Sequence, residues 1–291
     1  MRHEQSPHPI VIIGAGRSGT NMLRDILTQL PGFGTWPCDE INYIWRHGNV
    51  HIQTDAIPAS AATASVKRYI QTAFAKIAKN QQVSHVVEKT CANSLRVPFI
   101  DQVLPNAKYL YIVRDGRDVV ASADKRWVAE LDLKYILRKA RYVPLLDLPY
   151  YAVRYLWSRV YRVFSKEKRL AFWGPRFEGM EAILKSGQYS LPEICALQWQ
   201  HCVRASDQAF EALSASRVHY VRYEDFVQHP IAELQKICAF LNVPLDQGTA
   251  EKITSRVSSG SMGKWRQELQ GDVLCKVNQI VSATLKKHGY D

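Results

Sequence analysis

Short β-branched apolar runs alternate along this chain with longer stretches whose apolar positions recur every three or four residues. Ile10 to Ile13 has the length and composition of a strand buried on both faces. Asn21 to Leu30 then carries apolar residues at 22, 23, 26, 27 and 30, one face of a helix that Pro31-Gly32 ends. Phe33 to Asn49 reads as a loop rich in Trp, Cys, Asp and Glu, suited to lie over a site. Residues 65–80 read as helix, Val83 to Val87 as a second strand ending at Glu88-Lys89-Thr90, and Pro98 to Leu104 as a short helix. Lys108 to Val113 is a third strand, followed by helix through 117–142. From Pro149, Tyr150, Val153, Trp157, Tyr161 and Phe164 share one helical face, and Arg159, Arg162, Lys166 and Arg169 another. Helix is predicted again over 192–213 and from Ile231 to Leu241, on either side of a fourth strand, Val218 to Arg222. Ser258 to Trp265 is a Ser/Gly loop. No internal repeat or low-complexity linker interrupts this order. It predicts an α/β fold, a central parallel β-sheet flanked by helices on both faces. We expect a single domain over residues 1–291, with a basic, aromatic helical insertion at about 134–185.

Composition adds a location. The net charge is +11. Between Lys134 and Arg176, 11 Lys/Arg face two acids, Asp147 and Glu167, so +9 of that excess lies in 43 residues. A local basic surface implies an anionic partner there. Its aromatic and snorkelling basic side chains suit recognition of an anionic or lipid-linked glycan with peripheral membrane contact through 134–176. No nucleic-acid motif accompanies it, so no nucleic-acid partner is expected. The six cysteines form neither a C-x-x-C pair nor a cluster with zinc spacing, as in a reduced protein without a metal. No signal-peptide pattern or apolar run of about 20 residues is present. The expected location is cytoplasmic, at most peripheral on the inner face of the membrane.

Two loops carry the chemistry. Gly14-x-Gly16-x-x-Gly19 follows the first strand and matches a dinucleotide fingerprint, with Asp39 or Glu40 about 20 residues on. The segment from Pro31 to Pro37 is a poor second strand, however. The same residues read as a P-loop with Thr20 where ATPases need lysine. In a third reading, backbone N–H groups of Ser18, Gly19 and Thr20 and a helix N-terminus hold an anion, and Arg17 adds charge. Alone, the loop leaves dinucleotide, ATP-type and other phosphate ligands open. The second loop favours a ligand phosphorylated at both ends. There Arg114 ends a strand, Ser122 lies on the next helix, and Arg126 lies one turn further. The competing reading pairs Arg114 with Asp115 or Asp118.

Together these loops resemble the donor site of the sulfotransferase superfamily, which uses 3′-phosphoadenosine 5′-phosphosulfate (PAPS) and releases adenosine 3′,5′-bisphosphate (PAP) without a metal. Arg17-Ser18-Gly19-Thr20, with Asn21 beside it, resembles the 5′-phosphosulfate loop, and Arg114 with Ser122 resembles the 3′-phosphate pair. Tyr220-Val221-Arg222-Tyr223 resembles a later family segment, and Lys264-Trp265 the donor-covering loop. The resemblance implies a P-loop NTPase-like sulfotransferase fold of the bacterial or tyrosylprotein type, and residues 134–185 match no part of it.

The implied reaction is in-line sulfuryl transfer to a hydroxyl acceptor, with a glycan or glycolipid as the expected substrate. Lys89 is the candidate for stabilising the leaving oxygen, because Glu88-Lys89-Thr90 resembles a segment supplying a catalytic lysine. Glu40 is the candidate base, with Asp39, His47, His51 and His85 as competitors. Asn42 stands where the tyrosylprotein enzymes carry arginine. The rival classes are a P-loop phosphotransferase, a dinucleotide-dependent oxidoreductase and a non-catalytic anion-binding protein at a membrane surface.

Overall fold

A computed structural model describes residues 7–127, 143, 144, 147, 148 and 173–290, except the side chains of 125–127. The side chain of Arg126, the expected helix beyond 127, the aromatic and basic faces from Pro149 and most of the 134–185 insertion lie outside these residues. Five strands, β1 (His8–Ile13), β2 (Phe33–Gly34), β3 (His85–Lys89), β4 (Lys108–Val113) and β5 (Val218–Arg222), pair in the order β2-β3-β1-β4-β5. Every pairing is parallel.

The strands are apolar throughout because both faces are covered. Val11, Ile13, Tyr109, Tyr111 and Val113 point to one side and pack into a core with α2 (Asn42–Trp45), α3 (Ala64–Gln81), α4 (Val97–Val103), α5 (Gly116–Trp127), α6 (Met180–Ser186) and α7 (Leu191–Glu211). The last helices on that side are α11 (Trp265–Glu268) and α12 (Gly271–Lys287). Ile10, Ile12, Leu110, Ile112 and Val221 point to the other side, against α1 (Thr20–Leu27), α8 (Tyr223–Gln228), α9 (Pro230–Leu241) and α10 (Gln247–Thr254). This alternation is the period of two that a doubly covered sheet requires.

The structure corrects one sequence reading here and adds an element not read from the sequence. Phe33-Gly34, expected to be loop, forms an edge strand against His85 and Val86. Two residues carry no readable period. The strand then continues into a side-chain ladder, with the Gln81 amide donating to Thr35 O at 2.7 Å and accepting from Thr35 N at 3.2 Å. No element is read from sequence over α12, whose positions Leu274, Val277, Val281 and Leu285 share a helical face that packs on the core.

Register places the site. Ile12 stands opposite Lys89 and Ile13 opposite Tyr111, so the C-terminal ends of β3, β1 and β4 lie level. The helices after β1 and β4 leave toward opposite faces of the sheet. Adjacent strands whose connections diverge in this way open a crevice at their carboxyl ends, where α/β proteins bind ligands.

Candidate active site

The β1–α1 loop can be built only with glycine at two positions. A Cβ on Gly14 would lie 2.7 Å from the Ile112 carbonyl oxygen on β4. Gly19 has φ +87°, and a Cβ there would sit 2.5 Å from the Tyr223 ring. Arg17 also lies in the left-handed region, at φ +69°, a conformation that costs a non-glycine residue about 1–2 kcal/mol. Its side chain reaches across the crevice, and Nε donates to Ser122 Oγ at 2.9 Å. Within this loop the Ser18 amide donates to Ala15 O at 3.2 Å, closing a turn. The Ser18 hydroxyl is buried and has no partner among the described residues. Thr20 Oγ1 lies 3.7 Å from Cys91 Sγ, and Asn21 is exposed at the start of α1.

The second loop closes on the first. Arg114 Nη1 donates to Arg17 O at 3.1 Å and Nη2 to Ser261 O at 2.5 Å, while its guanidinium lies 4.4 Å over the Tyr223 ring. Of the two pairings considered for Arg114, Asp118 is present at 3.7 Å, and Asp115 instead holds Arg117 at 2.8 Å. Arg114 Nε is buried without a partner among the described residues. An orphaned hydroxyl and an orphaned guanidinium N–H, one in each loop, are donors that a doubly phosphorylated nucleotide fits.

Asp118, considered from sequence only as a partner of Arg114, also ties down the C-terminal loop. Its carboxylate accepts from Gly263 N at 2.7 Å and Trp265 N at 3.0 Å. Tyr223 Oη meets Ser261 Oγ at 2.7 Å, and Arg117 lies 4.1 Å over the Trp265 ring. Lys264 is exposed between these anchors. Asp118→Ala is expected to release residues 258–265, so that trypsin cuts after Lys264 at least about tenfold faster than in the parent chain. An unchanged cleavage rate would remove Asp118 from that role.

The third part is acidic. Lys89, at the end of β3, donates to Asp39 Oδ1 at 3.1 Å and Glu40 Oε1 at 3.2 Å. Glu40 Oε1 also accepts from the Cys91 amide at 3.2 Å. Arg24 on α1 donates to Asp39 Oδ1 and to its carbonyl oxygen, both at 3.1 Å. Burial works against the Asp39 charge, but Lys89 and Arg24 outweigh it and hold the Asp39 pKa down at about 2. Burial likewise opposes the Lys89 charge, and Glu40 with Asp39 overcomes it, so the ammonium titrates above its ordinary range. Two of the competing histidines have partners of their own. His85 stacks on Phe33 with ring centroids 4.6 Å apart. It lies four residues before Lys89 on the same strand, about 13 Å away along the sheet. His47 Nδ1 pairs with Asp147 Oδ2 at 2.8 Å, and His51 is exposed.

Comparison with known proteins decides the family. A family model described as "Sulfotransferase domain" matches residues 7–264. The chain belongs to this sulfotransferase family. Solved sulfotransferase structures share its fold. The sulfotransferase domain of the curacin biosynthetic pathway superposes with a TM-score of 0.57 at 16% identity, covering 98% of both chains. Mouse sulfotransferase SULT7A1, complexed with PAP, gives 0.50 at 13% identity, covering 96% of this chain and 85% of that one. A protein-tyrosine sulfotransferase of Drosophila melanogaster is 20% identical over 315 residues, covering 97% of this chain. The chain spans about half, 52%, of the length of that curated relative. Like other members of the family, this sulfotransferase domain has the P-loop-like parallel sheet predicted from its sequence.

Among the described residues no group of three or more His, Cys, Asp or Glu could hold a metal ion, and no helix is long and apolar enough to cross a membrane. None of the six cysteines is in a disulfide.

Beneath the acidic cluster lies Glu88, 1% exposed, whose pKa burial raises to about 7 from an ordinary 4.5. Between those pH values the folded state holds this proton more tightly than the unfolded chain does. This group's contribution to stability therefore falls as pH rises from 4.5 to 7, by about 3 kcal/mol in all. Glu88→Gln is expected to remove that fall, so urea midpoints at pH 5 and pH 8 should differ less than in the parent chain. An undiminished difference would refute this assignment.

Proposed function

We propose that this chain moves a sulfuryl group from PAPS to a hydroxyl acceptor and releases PAP. The observation that carries this reading is the meeting of two phosphate-type loops, through Arg17, Ser122 and Arg114, beside a lysine held by two carboxylates. When bound, the donor supplies an activated sulfuryl group whose transfer leaves negative charge on a phosphate oxygen. Arg114 and Ser122, with Arg126 one turn on, hold the 3′ phosphate. Arg17, the Ser18 hydroxyl, Gly19, Thr20 and Asn21 hold the 5′ end. Tyr223, Lys264 and Trp265 close over the nucleotide.

The two carboxylates on Lys89 take different roles because their surroundings differ. Asp39, clamped by Arg24 as well as Lys89, stays ionised and fixes the lysine. Glu40, on the same lysine and on the Cys91 amide, is the carboxylate we assign to accept the acceptor hydroxyl's proton. Lys89 keeps a third N–H for the leaving oxygen, where a positioned donor is worth about 10²–10³ in rate.

For the acceptor, the reading is a glycan or glycolipid. The basic stretch from Lys134 to Arg176 supports an anionic or membrane-borne substrate met from the cytoplasmic side. Asn42 supports it too, because its side chain turns inward to Arg96 and Asp55 at 2.6 and 3.2 Å. Likeness to a protein-tyrosine sulfotransferase favours a tyrosine hydroxyl as the second reading.

Calorimetry with PAP, adenosine 5′-phosphate, ATP and NAD tests the donor assignment. Micromolar binding that requires the 3′ phosphate is expected, and preference for ATP or NAD would overturn it. Radiolabelled PAPS offered with glycolipid vesicles and with tyrosine peptides then separates the two acceptors.

A further inference from the structure

The Glu88 carboxylate is fully engaged. Thr90 Oγ1 donates to Glu88 Oε1 at 2.6 Å, and Asn93 Nδ2 donates to Oε2 at 2.6 Å. All three residues are buried, at 1% exposure or less. Because the Thr90 proton is committed to Glu88, its oxygen is left to accept, and it takes the Ile41 amide at 3.2 Å. That amide belongs to the peptide bond joining Glu40 to Ile41. A second arm leaves the same carboxylate. Asn93 Oδ1 accepts from Arg96 Nε at 2.8 Å, and Arg96 Nη2 donates to Asn42 Oδ1 at 2.6 Å. Glu88 thus anchors the chain immediately after Glu40 at two points, Ile41 through its backbone and Asn42 through its side chain. Arg96 is wholly buried and leans on Asp55 at 3.8 Å, and Asp55 is in turn held by Arg46 at 3.1 Å.

The geometry points to Glu88 as a positioning residue that sets the place of Glu40 against Lys89, acting through the Thr90 hydroxyl and through Asn93 and Arg96. This inference rests on Glu40 being the base. The physical need is plain. Glu40 sits in a connection between an edge strand and a four-residue helix, neither of which fixes a side chain on its own. Lys89 and Glu88 are neighbours on one strand and point to opposite sides of it. The lysine therefore meets the Glu40 carboxylate while the glutamate holds the backbone behind it. A single rigid strand would then fix both ends of the proton-accepting unit. A misplacement of about 1 Å at such a group can cost about 10² in rate.

Thr90→Val, which keeps shape and removes the hydroxyl, tests this against Thr90→Ser, which keeps the hydroxyl. Both are made in the full chain. Hydrogen–deuterium exchange of the peptide spanning 36–45 is read with and without PAP, together with PAP affinity. Consumption of PAPS is read with N-acetylglucosamine and tyrosine methyl ester as probe acceptors. In the valine variant, exchange at 36–45 is expected to rise about tenfold or more while β1 and β4 stay protected. PAP affinity should hold within about threefold, and donor turnover should fall about 10²-fold. Serine should restore both exchange and turnover. Unchanged exchange in the valine variant would overturn the inference, as would faster exchange with undiminished turnover, or serine behaving as valine does. A parent chain that neither binds PAP nor consumes PAPS would instead overturn the sulfuryl-transfer reading, while exchange in the PAP-free chain still reports whether Thr90 holds the Ile41 amide.

Discussion

Arg114→Ala is expected to weaken PAP binding by about 10²–10³-fold while leaving adenosine 5′-phosphate within about threefold, as measured by calorimetry on both ligands. The size follows from removing charge-assisted hydrogen bonds, each worth about 1.5–3 kcal/mol, from a buried phosphate. The selectivity follows from position. Arg114 directly follows β4, and Arg17, whose carbonyl it holds, bonds Ser122 on α5, so Arg114 and Ser122 lie on the second-loop side of the crevice. The guanidinium also holds Ser261 O, so its loss loosens the covering loop and would weaken both nucleotides. The ratio of the two affinities separates these effects. Equal losses for the two ligands would assign Arg114 to the loop and not to a 3′ phosphate. Asp118→Ala supplies the comparison, because it frees the same loop and keeps the Arg114 guanidinium while removing that group's contact at 3.7 Å.

The largest kinetic effects are expected at the acidic cluster. Glu40→Gln should lower turnover about 10²–10⁴-fold, the usual worth of a positioned general base, with PAP affinity unchanged. Lys89→Ala should cost about 10²–10³-fold through the lost donor at the leaving oxygen. It also strips the main cation from Asp39, whose pKa should climb from about 2 toward the ordinary carboxylate value. The sign is testable. With Lys89 present, Asp39 is ionised at every working pH, so an acid limb of the rate profile is not its own. Asp39→Asn should accordingly keep that limb, whereas Glu40→Gln should abolish it. An acid limb that survives in Glu40→Gln and vanishes in Asp39→Asn would exchange the roles of the two carboxylates.

Much of this was legible in sequence because it is local. A glycine loop, an arginine at a strand end and a serine two turns into the next helix are each specified by neighbours along the chain. Their backbone geometry follows from residue type. Burial of a sheet on both faces likewise writes itself as short β-branched runs, and four of the five strands could be read from them. The fifth, Phe33-Gly34, could not, because two residues have no period and much of its pairing comes from the Gln81 side chain, 46 residues from Thr35.

Which groups meet was decided only by the tertiary structure. Lys89 and Glu40 are 49 residues apart, and Arg17 and Ser122 are 105 apart. Their contacts follow from the parallel register that levels the ends of β3, β1 and β4. Sequence spacing carries no trace of that register, since any slide of one strand past another leaves the apolar pattern intact in steps of two. The same holds for Asp118, whose partners lie 145 and 147 residues away, and for Arg24, which meets Asp39 15 residues further on. The sequence by itself determined that this chain would form a doubly covered parallel sheet with two phosphate loops. The tertiary structure decided that a lysine, two carboxylates and a covering loop would stand beside them, because only the packed fold brings residues this distant in sequence within hydrogen-bonding reach.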